Sequence, residues 1–158
     1  MTLKEKSAVE VLKSAHKRVL DLLDKSNEKL SAKDKEKLLA DVSLELSVLS
    51  VLETEVFYPA ITEADADFNL TEFNESHDQI KISMAQAQRL MGEEPDFDPQ
   101  MKELSKLVRE HIEKEDKNLF NNLKDSSMDV EAVADAMNEK CKEFHSHSSK
   151  NNDLGFTI

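Results

Sequence analysis

Five residues of types that bind cations or carry protons recur at helical spacing along stripes that are otherwise apolar: His16, Glu53, His77, His111 and Glu115. The densest stretch is VREHIEKEDKNLF, residues 108–120, where His111 and Glu115 stand four apart on the stripe of Leu104, Val108 and Leu119. Residues four apart lie one above the other on one helix face. If that face is buried, an imidazole and a carboxylate have been placed in a core, where an isolated carboxylate costs several kcal/mol unless protonated or paired. Something must neutralise it.

The elements that would hold these residues follow from apolar recurrence. Val9, Leu12, His16, Val19 and Leu23 form a first seam in steps of three and four. After the polar stretch SNEKLSAKDKEK, where Ser31 can cap the next helix, Val42, Leu46, Leu49, Glu53, Val56 and Ala60 form a second. Pro59 predicts a kink or an end there, because it lacks an amide donor. The third seam runs through Leu70, Phe73, His77, Ile80, Met84, Ala87 and Met91 to Gly92. Beyond the loop GEEPDFDP, the fourth carries Met101, Leu104, Val108, His111, Glu115 and Leu119. Ser127 offers a cap for a shorter fifth helix over roughly 128–145.

Two Gly and three Pro among 158 residues, with 34% charged residues, leave little turn chemistry for a β protein. The expected fold is all-α: an antiparallel up-down-up-down four-helix bundle over residues 1–125, with 126–158 forming a short extra C-terminal helix and flexible tail packed on or trailing from it. A net charge of −12 disfavours nucleic acid and anionic membrane surfaces as partners. No run reads as a signal peptide or approaches the length of a bilayer span, so a cytoplasmic protein is expected. The single cysteine, Cys141, has no partner for an intramolecular disulfide and is assigned no role.

A single histidine in an apolar stripe is more often a hydrogen-bonded core residue than a ligand. Two glutamates in such stripes are different, and no Lys or Arg lies in the four seams to pair with them. Three imidazoles and two carboxylates on facing helices point to a metal cation as the missing charge. The donors suit iron, manganese or zinc, and a carboxylate-bridged pair of irons is the usual occupant of such bundle cores.

The arrangement resembles the hemerythrin-like family, also called the HHE cation-binding domain. The resemblance is carried by AHKRVLDLL around His16, VLETEVFYPAI around Glu53, NESHDQI around His77 and REHIEKEDKNLF around His111 and Glu115, and covers roughly residues 6–124. It implies a non-haem di-iron centre in which Glu53 and Glu115 bridge the metals, His77 and His111 hold one iron, and His16 holds the other. The family pattern also has a His four residues before the second-helix Glu; here that position is Leu49, so the second iron is expected to lack an imidazole and to be weakly held. Glu45 lies one turn earlier but beside the seam. His145 and His147 could fold back as replacement ligands, but the stronger reading is exposed residues of a terminal helix. Tyr58 lies near the site and could donate a hydrogen bond to a bound ligand, but the stronger reading is an aromatic closing the bundle end.

The function this implies is a hemerythrin-like iron protein that binds or senses O2, nitric oxide or peroxide, with a homo-oligomer or a partner protein supplying any output. The alternatives are a degenerate, metal-free helical interaction module and a di-iron oxidase or iron-centre repair protein. Catalysis is the lesser expectation, since nothing in the sequence supplies a substrate pocket.

Overall fold

The computed structural model describes residues 7–121 and 128–151, the side chains of 146–151 excepted. All its regular elements are helical: α1 (Ala8–Lys25), α2 (Ala32–Val51), a π-helical segment π1 (Leu52–Phe57), α3 (Tyr58–Ala64), α4 (Thr71–Arg89), α5 (Phe97–Lys114), a second π segment π2 (Glu115–Leu119) and α6 (Val130–Asn151). α2, π1 and α3 follow without a break, as do α5 and π2, so the bundle has four long members.

The starts and stops have local causes. Ser7 and Ser31 occupy the N-cap positions of α1 and α2, their hydroxyls accepting from the amides of Glu10 and Asp34 at 3.3 and 3.1 Å. Gly92, with φ of 82°, turns the chain after α4 in a conformation that disfavours a side chain. Pro59 does not end the second bundle helix, which continues to Ala64. It falls in the first turn of α3, directly after π1, where its missing amide is tolerated as at a helix start. The proposed cap Ser127 lies outside the described residues, and α6 begins at Val130 and runs to Asn151, longer than its sequence suggested.

α1 packs on α2, α2 on α4, α4 on α5 and α5 back on α1, closing the bundle. Helices joined by short loops and packed on their chain neighbours alternate in direction. The seams interlock as a core that includes Leu12, Val19, Leu46, Leu52, Phe57, Met84, Leu104 and Leu119. α6 is a fifth member rather than a free tail over its described part: it lies against α1 and π1, with Ala134 and Met137 buried.

Candidate metal centre

The structure brings all five polar seam residues together between the four bundle helices. His16 comes from α1, Glu53 from π1, His77 from α4, His111 from α5 and Glu115 from π2. Glu53 and Glu115 are fully buried, at 0% exposure each, and His16 and His111 nearly so. His77 is half-buried by comparison, its side chain 11% exposed.

The two glutamates are held by the two π segments. In each, the glutamate's carbonyl accepts a hydrogen bond from the amide five residues on: Tyr58 to Glu53, and Phe120 to Glu115 at 2.9 Å. Such wider turns are rare and concentrate at functional sites, because one extra residue in the turn re-aims the side chains around it. Sequence periodicity does not reveal them; the equal spacing of Glu53 to Tyr58 and Glu115 to Phe120 was the available signal.

Glu53 Oε1 lies 3.2 Å from both His77 Nε2 and His111 Nε2. Glu115 Oε1 lies 3.2 Å from His111 Nε2 and 3.0 Å from His16 Nε2. Donor atoms within 4.8 Å of one another thus form two groups, Glu53 with His77 and His111, and His16 with Glu53 and Glu115. Glu53 belongs to both.

Two serines, unremarked in the sequence, orient the rings. Ser50 Oγ is 3.2 Å from His77 Nδ1, and Ser76 Oγ is 3.0 Å from His111 Nδ1. A hydroxyl accepting from Nδ1–H leaves the Nε2 lone pair facing the carboxylates, as a metal-binding tautomer requires. His16 has no such support. Its two ring nitrogens and Glu115 Oε1 have no hydrogen-bond partner, the 3.0 Å contact between Nε2 and Oε1 lacking the required geometry. Buried polar atoms without partners are uncommon and costly. A cation between Nε2 and Oε1 would satisfy those two atoms, with Nδ1 on the far side of the ring, so the donor set fits a metal.

Tyr58 is part of the same cluster rather than chiefly an aromatic closing the bundle end. Its hydroxyl oxygen is 3.1 Å from Glu115 Oε2, 3.3 Å from Glu53 Oε2 and 3.1 Å from His77 Nε2. Its ring meets His77 edge-on at 5.6 Å and packs against Phe73, a core residue as its seam position suggested. Phe120 stacks on His16 at 6.1 Å and meets Phe57 edge-on at 6.0 Å, shielding the opposite side. A surface cleft of about 330 Å³ between α1 and α5, lined in part by Lys13, Lys17, Ile112 and Asp116, reaches His16 from outside.

The electrostatics of these residues express the packing of two carboxylates in one buried site. Burial acts to raise the Glu53 carboxyl, but the charge on His111 and hydrogen bonds from its neighbours outweigh it and hold Glu53 well below the usual range. Glu115 is raised, by burial and then by the negative charge of Glu53 beside it. Burial would lower His111, yet the two carboxylates raise it to about 10. The Tyr58 phenol is also driven up, by burial and by the same two carboxylates. No described ion pair brings a Lys or Arg to either glutamate; the ion pairs they make are all with imidazoles.

The other candidate donors lie elsewhere. Glu45 pairs with Arg18 at 3.2 Å and is absent from both groups. His145 sits exposed on α6 against Phe144, and the side chain of His147 is outside the described residues. Leu49, one turn before Glu53, is buried at 3% exposure and brings no donor atom.

A helical bundle whose core converges histidines and glutamates from all four members defines a metal-binding helical protein. The sequence gives the family: residues 7–123 match the Hemerythrin HHE cation binding domain, and the chain belongs to that family. Its fold is similar to the crystal structure of a hemerythrin HHE cation binding domain-containing protein from Mycobacterium kansasii, an Rv2633c homolog, with a TM-score of 0.80 at 18% identity over 92% of this chain and 91% of that one. A comparison with curated proteins gives no match. Among the described residues no helix is long and apolar enough to cross a membrane.

Proposed function

We propose that this metal-binding domain carries a non-haem di-iron centre and binds or senses a small ligand, O2, nitric oxide or peroxide, in the cytoplasm. The observation that carries the reading is the pair of donor groups sharing Glu53, with His16 Nε2 and Glu115 Oε1 left without a hydrogen-bond partner unless a cation lies between them. His77, His111 and Glu53 would hold one iron; His16, Glu115 and Glu53 the other. Mixed imidazole and carboxylate donors suit ferrous and ferric iron. When bound, iron with an open coordination position supplies the affinity for O2, nitric oxide or peroxide.

The chain's own residues do the rest. Glu53 and Glu115 would neutralise the cations, Ser50 and Ser76 fix the rings of His77 and His111, and Phe57, Leu119 and Phe120 exclude bulk water. The cleft beside His16 is the side from which a small ligand would approach. A sensor of this kind would pass its signal through a second copy or a partner protein.

The test is anaerobic loading of the full chain with ferrous iron, followed by metal analysis and visible spectra with O2, nitric oxide and peroxide. Two irons per chain and ligand-dependent spectra are expected. A protein that takes up no iron under any of these conditions would be the metal-free interaction module instead; rapid turnover of peroxide or O2 would move it to the enzymes.

A further inference from the structure

We propose that Tyr58 is itself a ligand of the metal centre, its phenolate oxygen supplying the donor that Leu49 does not. The inference rests on the metal-centre reading above and goes beyond it, because that reading needs only the five histidine and glutamate side chains.

Three observations carry it. First, the Tyr58 oxygen lies in the middle of the donor set, 3.1 to 3.3 Å from one atom each of Glu115, Glu53 and His77. These three residues span both metal-holding groups. Second, one phenolic proton cannot serve two carboxylates at once, so as a simple hydrogen-bond donor Tyr58 leaves one of them short. As an oxygen donor to a cation shared with them, it leaves neither short. Third, the ring is fixed rather than free to swing away: the residue is 3% exposed, its amide is tied to the Glu53 carbonyl through π1, and its ring is held by His77 and Phe73.

The fourth bundle helix supplies an internal control. Glu115 is preceded four residues earlier by His111 and followed five residues later by Phe120, whereas Glu53 is preceded by Leu49 and followed by Tyr58 at the same spacings. Each helix therefore offers its carboxylate and one further donor, an imidazole before it in one case and a phenol after it in the other. On coordination the phenolic O–H breaks, a metal–oxygen bond forms and the proton leaves to solvent; no electron moves.

Tyr58 is the sole tyrosine and the chain has no tryptophan, so any tyrosinate signal belongs to it. The full chain is loaded with iron, oxidised to the ferric state and measured for iron content, visible absorption and resonance Raman scattering. The expected result is a phenolate-to-iron charge-transfer band whose Raman spectrum carries phenolate ring modes, both lost in Tyr58→Phe. Zinc loading adds a colourless check: a tyrosinate difference spectrum in the ultraviolet, again absent in the variant. Weaker iron binding by Tyr58→Phe does not decide the matter, because losing a mere hydrogen-bond partner of a ligand also weakens metal affinity by about 10- to 100-fold. Iron-loaded wild type with no phenolate modes overturns the ligation and leaves the di-iron reading standing. Failure to take up iron at all overturns both. Should Tyr58→Phe not fold, the wild-type spectra still decide.

Discussion

The two π-helical segments, π1 in the second bundle helix and π2 in the fourth, are near-copies in backbone and opposites in chemistry. Both place a fully buried glutamate at a widened turn, and both close that turn with a hydrogen bond to an aromatic residue five positions on. In π2 the aromatic is Phe120, packed on His16, and the second donor is His111 a turn before. In π1 the aromatic is Tyr58, its hydroxyl among the donors, and the residue a turn before is Leu49. The comparison teaches that the backbone device and the donor set vary separately: the π turn fixes where a glutamate and an aromatic must go, and the sequence chooses which neighbour carries the donor atom.

The strongest test of the comparison is to remove the carboxylates one at a time. Glutamine keeps the shape and loses the charge that neutralises a cation. Glu53 belongs to both donor groups and Glu115 to one. Glu53→Gln is expected to abolish iron loading, and Glu115→Gln to reduce it sharply while the helical fold remains. Metal analysis with circular dichroism checks both. Wild-type iron stoichiometry in Glu115→Gln would end the case for Glu115 as a ligand, and equal, partial losses in the two variants would contradict the sharing of Glu53.

Metal removal should cost stability, because a ligand that binds only the folded chain stabilises it by RT ln(1 + [L]/Kd), about 4 kcal/mol at a thousandfold excess over Kd. For a chain of this size that is on the order of 10 °C in Tm. Thermal melts of chelator-treated and iron-loaded protein measure it, and coincident curves over a range of ferrous concentrations would contradict it.

A smaller effect concerns pH in the metal-free protein. His111 is raised from its ordinary 6.5 to about 10, so its contribution to stability is fully present below 6.5 and is lost as pH rises through about 10. The raised Glu115 carboxyl acts in the same sense from lower pH upward. Metal-free stability should therefore fall between pH 6.5 and 10, by on the order of a few kcal/mol. Metal affinity should rise over the same range, since ligands bind deprotonated. Urea unfolding at fixed temperature across this range tests it; flat stability of the metal-free protein would mean that His111 carries no proton there.

How much of this could be read from the sequence depended on whether a residue broke an apolar pattern. Glu53 and Glu115 stood out because a carboxylate in an unbroken stripe has no cheap explanation, and the three histidines followed by convergence. Ser50 and Ser76 did not, because a small hydroxyl is tolerated on most helix faces. The π turns were hidden, since one extra residue in a turn leaves the neighbouring three-and-four steps intact on either side. That is also why Pro59 read as a kink or an end and Tyr58 chiefly as a bundle-end aromatic: the widened turn lets the helix pass the proline and places the phenol among the donors. The antiparallel four-helix arrangement was legible throughout, because four similar seams joined by short loops have few other ways to be buried.

The finest test rewrites π1 in the pattern of π2. Leu49→His with Tyr58→Phe would give the second bundle helix the same order as the fourth, imidazole, carboxylate, then a donorless aromatic. Leu49→His alone should lower metal-free stability by roughly 1 to 3 kcal/mol through lost apolar burial. If Tyr58 and the absent imidazole are exchangeable donors, the double variant should hold as much iron per chain as wild type while lacking every phenolate signal. Tyr58→Phe alone should hold its iron more weakly than either. Iron titrations of the four proteins, wild type, both single variants and the double, give the coupling directly. Additive losses would mean that residue 49 does not face the metals and that the Tyr58 oxygen serves some purpose other than replacing a ligand there.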